Sequence, residues 1–232
     1  MENETLNSIK EKKAIKALEE GKILFEKCKI KKAFSKFNEA IKLNPTLSEA
    51  YLEKGEAHMG MFESSEAEEC LLKYIELAGE NERVYKALIE VYDQKSDFEL
   101  AVDYCDKLTN LKPNDWEIFY LKADLLILVG DYETALDVFN KCIELNPKFY
   151  KAICGKALCL YTLDNDDEAI KTYEHAIEVD KSESHAYMEL GLIYRDMGVI
   201  VKALKYLKKA YDLSPDDELY KSQYIITKDC YN

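Results

Sequence analysis

The stretch SHAYMELGLIYRDMGVIVKALKYLKKAYDLSPDD, residues 184–217, decides the fold of this 232-residue chain. Its alanine, Ala203, belongs to a column of alanines that recurs every 34 residues without a miss. The column consists of Ala33, Ala67, Ala101, Ala135, Ala169 and Ala203. A fixed period between about 20 and 50 residues is the signature of a stacked repeat protein. The spacing therefore predicts a series of identical structural units.

Two further columns keep the same register. An aliphatic residue closes each unit, at Leu43, Leu77, Leu111, Leu145, Val179 and Leu213, and a proline follows two residues later in four units, at Pro45, Pro113, Pro147 and Pro215. Because proline disfavours helix in the residue before it, each proline marks a helix end. A small residue occupies another column in five units, at Gly21, Gly55, Ala123, Ala157 and Gly191, with Ile89 as the exception.

Each unit is predicted to contain two amphipathic helices, because the apolar columns are spaced by three and four residues. In the fourth unit the pattern predicts helices over 116–129 and 132–145, separated by Gly130-Asp131. Asp97, Asp131 and Asn165 stand where a second helix begins and where an N-cap acceptor is preferred. The small residues Gly21 and Ala33 would let the two helices of the first unit approach closely.

The order of these columns resembles the tetratricopeptide repeat (TPR) family. The motif Tyr187-x-x-Leu190-Gly191-x-x-Tyr194, followed by Ala203 and a closing proline, carries the resemblance most fully. The third unit matches least well, with Ile89 and Cys105 in key columns, but we expect it to fold.

The resemblance implies an all-α, right-handed superhelical solenoid of six helix-turn-helix repeats with a C-terminal capping helix. The predicted bounds are a polar extension over 1–13, repeats over 14–47, 48–81, 82–115, 116–149, 150–183 and 184–217 (together 14–217), and a cap over 218–232. In the cap, Leu219, Tyr220, Tyr224 and Ile225 are expected to cover the last repeat.

Composition narrows the classes of function. The net charge of −13 disfavours nucleic acid and anionic membrane surfaces, which both require basic footprints. The first residues lack the apolar core of a signal peptide, and the longest apolar run, Leu125–Val129, is too short to span a bilayer. We therefore expect a soluble, cytoplasmic protein.

Neither metal nor cofactor chemistry is indicated. The seven cysteines lack paired spacing and no C-x-x-C occurs, so we expect buried reduced thiols and no zinc site. Phosphate-loop and hydrolase motifs are absent. Cys154 and His185 could come together as a nucleophile and base, which leaves an unrecognised enzyme as a remote alternative.

In TPR proteins the first helix of each repeat lines a concave wall, so the resemblance places the binding residues there. An apolar zone would anchor a peptide or helix and an acidic zone would face its basic flank. The candidate groove residues are Tyr120, Leu158, Tyr161, Met188 and Leu192, with the charged residues Glu56, Glu90, Asp93, Asp124 and Arg195. The Lys/Asn clamp by which some TPR domains hold a C-terminal carboxylate is not matched at these positions.

Two other interpretations stay open. These side chains could pack on each other or on the C-terminal helix, with the acidic residues serving only solvation. The end repeats or tyrosine-rich surfaces could instead pair to form a homo-oligomer without a dedicated peptide groove. The leading prediction is a non-enzymatic scaffold that binds a protein or peptide.

Overall fold

In the computed structural model the backbone is described over residues 2–230 and the side chains over residues 7–230. This part of the chain contains helices and no strands. The thirteen helices are α1 (Glu2–Glu26), α2 (Ile30–Leu43), α3 (Ser48–Met59), α4 (Ser64–Ala78), α5 (Glu82–Gln94), α6 (Phe98–Leu111), α7 (Trp116–Val129), α8 (Tyr132–Leu145), α9 (Tyr150–Thr162), α10 (Asp166–Val179), α11 (His185–Asp196), α12 (Ile200–Leu213) and α13 (Glu218–Cys230).

The chain divides into two compact units, Met1–Leu111 and Lys112–Asn232. In unit one α1 pairs with α2, α3 with α4 and α5 with α6, and successive pairs contact each other. In unit two α7 pairs with α8, α9 with α10 and α11 with α12, and α13 packs on α12. Each unit is therefore a run of three helix pairs, as the repeat pattern predicts.

Turn chemistry sets the helix ends where the sequence predicts them. The helices predicted over 116–129 and 132–145 have those same ends in the structure. Gly130 ends α7 with φ of 90°, a left-handed conformation that glycine adopts without strain. The Asp131 side chain then accepts a hydrogen bond from the Thr134 N–H, at 3.0 Å, and caps α8. Asp97 caps α6 through Leu100 in the same way, whereas the predicted cap at Asn165 makes no side-chain hydrogen bond.

The repeating alanines lie at the centre of each pair, and all six are fully buried. The small column opposite them has a steric cause: a Cβ built on Gly191 would lie 2.6 Å from Leu207 Cγ, and one on Gly21 would lie 2.7 Å from Phe37 Cδ1. Larger side chains there would force the paired helices apart. In the third repeat the small column holds Ile89, which is buried. Cys105 occupies the position that Phe37 holds in the first repeat and Leu207 in the sixth.

The terminal segments are helical. α1 begins at Glu2, so the polar segment predicted as an extension continues into the first helix, and the side chain of Leu6 lies outside the described residues. α13 covers the last repeat with Tyr220 and Tyr224, which pack against the cluster containing Met188 and Leu207. Leu219 and Ile225 remain exposed, contrary to expectation, because Tyr220, Tyr224 and the buried Thr227 lie along the inner face at helical spacing.

A candidate peptide-binding pocket in unit two

The first helices of the three repeats in unit two, α7, α9 and α11, together form a pocket. Its volume is about 210 Å³. The lining side chains combine apolar, aromatic and charged groups. They are Tyr120, Asp124 and Ile127 from α7, Tyr150, Lys151, Cys154, Gly155 and Leu158 from α9, and His185 from α11. Three candidate groove residues predicted from the sequence, Tyr120, Asp124 and Leu158, thus line one pocket.

Aromatic packing holds the wall of this pocket in place. The Tyr120 ring meets Phe149 edge to face, with centroids 4.9 Å apart, and lies 6.3 Å from Phe139. Trp116 also contacts Phe149, with ring centroids 4.5 Å apart. Burial raises the pKa of the Tyr120 hydroxyl, and the charge of Asp124 adds to this effect. The half-buried Tyr120 is therefore a neutral, positioned ring with one side open to the pocket.

The floor of the pocket is built from α9. Gly155 lies directly against the Phe139 ring, since a Cβ at this position would be 2.6 Å from Phe139 Cε1. The Tyr150 hydroxyl accepts a hydrogen bond from the Ala186 N–H, at 2.9 Å, and so ties α9 to α11. Burial raises the pKa of the Cys154 thiol to about 12. The floor is consequently rigid, uncharged and closely packed.

The charged groups stand at the rim. Asp124 and Lys151 are exposed, and His185 Nδ1 lies 3.8 Å from Glu189 Oε1. Burial raises the pKa of the Glu189 carboxyl, and nearby His185 opposes that shift. The rim can therefore offer the Asp124 carboxylate, the Lys151 ammonium group and the His185 imidazole to a ligand whose apolar part enters the pocket.

Tyr161 and the candidate residues of the sixth repeat already have partners in the chain. The Tyr161 hydroxyl donates a hydrogen bond to Asp196, at 3.2 Å. Met188 is buried, and it and Leu192 belong to the cluster that α13 covers. Arg195 donates a hydrogen bond to Gln223 of α13, at 2.7 Å. These four predicted groove residues, Tyr161, Met188, Leu192 and Arg195, do not line the pocket between α7, α9 and α11.

The acidic candidates of unit one form a separate set. Glu56 makes a two-point ion pair with Arg83, at 2.6 and 2.8 Å, and Arg83 also contacts Glu49 and Glu53. Lys22 reaches Glu53 as well, at 3.2 Å. Glu90 and Asp93 lie exposed on α5. Much of the predicted negative charge near Glu56 is therefore balanced within the unit.

Sequence analysis named Cys154 and His185 as possible neighbours, and both line this pocket, but it did not single out Gly155 or Tyr150. A glycine inside a helix is a usable signal, because it lowers helix propensity and so requires a packing reason. Tyr150 gives no such signal, since its role depends on which backbone N–H the next repeat brings to its hydroxyl.

Comparisons with known proteins assign the repeats. The model of the tetratricopeptide repeat matches residues 48–81 and 184–217, which are two of the 34-residue units defined by the alanine spacing. The model of anaphase-promoting complex, cyclosome, subunit 3 matches residues 94–176. The chain belongs to the TPR family.

Solved TPR structures resemble this TPR protein. YrrB, described as a TPR protein with an unusual peptide-binding site, is 25% identical over 80% of this chain and 96% of its own, with a TM-score of 0.65. The C-terminal part of a TPR repeat-containing protein from Cytophaga hutchinsonii is 21% identical over 95% of this chain and 92% of its own, with a TM-score of 0.76. MamA is 22% identical over 72% of this chain and 92% of its own, with a TM-score of 0.66. The latter two show likeness of fold alone.

Three further observations on this TPR protein concern curated relatives, metal sites and membrane spans. A comparison with curated protein sequences finds no match. Over the described residues, no cluster of three or more His, Cys, Asp and Glu side chains has the arrangement of a metal site. None of the helices in that part of the chain combines the length and hydropathy that a transmembrane span requires.

Proposed function

We propose that this TPR protein is a non-enzymatic scaffold that binds a peptide segment of a partner protein in the pocket between α7, α9 and α11. The observation that carries the proposal is the position of Tyr120, Asp124 and Leu158 around one pocket of about 210 Å³. Such a volume accommodates one or two side chains rather than a folded domain. The peptide-binding site named for YrrB supports the same class of ligand.

The chemistry of the lining suggests the sequence of the ligand. Tyr120, Ile127 and Leu158 would surround an apolar anchor, and Asp124 would accept hydrogen bonds from a basic residue beside it. The tight contact between Gly155 and Phe139 keeps the floor in one position, which lowers the entropic cost of binding. The proposed ligand is therefore an apolar residue flanked by lysine or arginine.

Acid–base properties favour binding over catalysis at this site. With a pKa of about 12, the Cys154 thiol is protonated at neutral pH and is a poor nucleophile. The Tyr150 hydroxyl lies beside that thiol and its own pKa is raised, first by burial. Neither group has the pKa near neutrality that acid–base catalysis requires.

Selection of peptides against the purified chain tests this proposal. A random phage-displayed library is selected on the wild-type protein and on Leu158→Asp, with Leu128→Asp as the matched control, because Leu128 is an exposed leucine on α7 outside the pocket. We expect wild type and the control to enrich the same peptides with an apolar residue next to a basic one, and Leu158→Asp to lose them. Equal enrichment on all three proteins would refute the assignment of the pocket.

Self-association is a second candidate, favoured by the last helix. Leu219, Ile225 and Ile226 of α13 are 43–52% exposed, and apolar groups of this size are often covered by a partner. Sedimentation velocity over a hundredfold range of concentration decides between the two. A monomer throughout excludes self-association, whereas an oligomer that Ile226→Asp dissociates would support it.

A further inference from the structure

A second candidate binding site is an apolar cleft in unit one, which shares no residue with the pocket of the proposed function. It lies between α2 and the turn that joins α3 to α4, and its volume is about 740 Å³. Ile30, Phe34 and Met61 supply its apolar lining. The Phe34 and His58 rings lie 4.4 Å apart, and His58 Nδ1 is 2.6 Å from the carboxylate of Glu63. The cleft therefore has a fixed wall formed by two contacting rings.

Phe62 follows Met61 in the turn beside this cleft, at a position that has positive φ in all six repeats. Its side chain is 78% exposed, and its φ is 59°, in the left-handed region that bulky residues avoid. Glycine occupies the corresponding turn position in the fourth and sixth repeats, at Gly130 and Gly198. An exposed ring at a strained position adds little to the stability of the unit itself. Its neighbour in the turn, Met61, lines the cleft and is 43% exposed, so two exposed apolar side chains follow one another at this edge.

The lining of the cleft contains one lysine, Lys31, and one carboxylate, Glu63, and further lysines lie next to Lys31 in the chain. Lys27, Lys29, Lys31 and Lys32 follow one another through the turn between α1 and α2, and Lys31 lines the cleft. All four are exposed, and none forms an ion pair within the side chains described, residues 7–230. Residues 8–47 contain eleven lysines and five glutamates, although the whole chain carries a net charge of −13. This part of the chain, which comprises the first repeat and the residues just before it, therefore carries an excess of positive charge.

We propose that this cleft binds an acidic peptide segment carrying an aromatic or aliphatic anchor, presented by a partner protein. The anchor would enter between Ile30, Phe34 and Met61, against Phe62, and its flanking carboxylates would pair with the lysines. A concave cleft of this size suits an inserted side chain better than the flat surface of a bilayer. The charge preference is opposite to that of the pocket in unit two, so the scaffold would hold two chemically different partners.

Fluorescence anisotropy with a designed probe tests the proposal. The probe is a fluorescein-labelled peptide, EDELFEDI, and the control peptide is KRKLFKRI. We expect the acidic peptide to bind, with an affinity that falls about tenfold in Lys31→Glu/Lys32→Glu, because two positive charges beside the cleft become negative and repel the peptide's carboxylates. The matched control is Lys208→Glu/Lys209→Glu, which makes the same change of net charge on exposed lysines of α12 and should leave the affinity unchanged.

Two further variants separate this cleft from the other site. Phe62→Ala should weaken binding while leaving the melting temperature intact, because the ring is exposed. Leu158→Asp changes the pocket in unit two and should bind the acidic probe with wild-type affinity. The cleft in unit one is thereby tested independently of the proposed function. Absence of binding, or an equal loss in both lysine variants, would overturn the proposal.

Two other occupants are examined in parallel. The first is a vesicle of phosphatidylcholine with about 30% phosphatidylserine, the anionic lipid of the cytoplasmic leaflet. The second is another copy of the chain, detected by sedimentation. Phe62-dependent binding to the vesicle without binding to the peptide would overturn the proposal, and so would self-association that Phe62→Ala abolishes.

Discussion

Gly155 of α9 and Phe139 of α8 lie so close that no side chain fits between them. A Cβ on Gly155 would be 2.6 Å from Phe139 Cε1 and nearer still to Cζ. Phe139 is itself 1% exposed and lies 6.3 Å from the ring of Tyr120. The contact between the fourth and fifth repeats and the position of the pocket's aromatic wall therefore depend on the same glycine.

Substitution Gly155→Ala should destabilise the protein by about 1–3 kcal/mol, the usual cost of overpacking a core. The measurement is urea unfolding followed by circular dichroism. Gly60→Ala is the control, because a Cβ there would lie 3.5 Å or more from its neighbours and the backbone is already helical. We expect the control to be neutral or slightly stabilising. Equal changes in the free energy of unfolding of both variants would show that the Phe139 contact does not determine the effect.

The ion pairs around Arg83 should make stability depend on pH. Burial alone would raise the pKa of Glu53, but hydrogen bonds from Arg83 and Lys22 outweigh it and lower the pKa overall. A carboxylate with a lowered pKa contributes stability above its unfolded pKa and loses that contribution as pH falls through its folded pKa. Arg83→Gln should therefore cost about 1 kcal/mol at pH 7.

The difference in free energy of unfolding between wild type and Arg83→Gln should shrink as the pH falls below about 4.3, where unpaired glutamate becomes protonated. Chemical unfolding at a series of pH values measures it. The control is Lys73→Gln, which removes an exposed pair with Glu76 and should change the free energy of unfolding by less than about 0.5 kcal/mol. A difference that stays constant from pH 7 to pH 3 would contradict the role of Glu53.

The C-terminal helix should stabilise the sixth repeat through its tyrosines. Tyr224 stacks on Tyr211, with centroids 6.3 Å apart, and Tyr220 packs on the cluster that contains Met188. The double variant Tyr220→Ala/Tyr224→Ala should lose about 2 kcal/mol or more of unfolding free energy, because two half-buried rings are removed. Ile225→Ala/Ile226→Ala removes exposed groups of the same helix and should change it much less. Equal losses would mean that α13 packs through its other face.

The repeat architecture was predictable because its determinants are local and periodic. The 34-residue spacing predicted the unit length, and Gly130 and Asp131 predicted the break between α7 and α8. Gly21 predicted the close approach of the first two helices, where a Cβ would lie 2.7 Å from Phe37 Cδ1. The departure in the third repeat was visible at Ile89 and Cys105. The structure buries both residues: Ile89 stands where other repeats have glycine or alanine, and Cys105 stands where the first and sixth repeats have Phe37 and Leu207.

The candidate site was less predictable because it depends on contacts between distant residues. Helical spacing placed Met188 on the open face, but α13 covers it, and nothing in the residues of α11 indicates that. The negative charge expected near Glu56 is offset by Arg83, which comes from the next repeat. The cleft beside Phe62 combines α2 with a turn about 30 residues later in the chain, so neither segment shows it alone.

The reactivity of the seven cysteine thiols should depend on whether each is exposed or buried. Cys28 and Cys230 are exposed and the other five cysteines are buried, and burial raises the pKa of Cys142 and Cys159 to about 11. Ellman's reagent at pH 8 should titrate two thiols rapidly in the native protein and all seven after unfolding in guanidinium. Cys28→Ser should reduce the rapid count by one. Rapid reaction of Cys154 would contradict its position in the floor of the pocket.

The most direct test of the binding pocket is a methyl NMR titration with a peptide selected on the wild-type protein. The pocket places the methyl groups of Ile127 and Leu158 around the ligand's anchor, whereas Leu128 and Ile226 are exposed outside it. We predict that the signals of Ile127 and Leu158 shift on addition of the peptide and that those of Leu128 and Ile226 do not. Shifts confined to α13 or to Met61 and its neighbours, with Ile127 and Leu158 unchanged, would contradict the account.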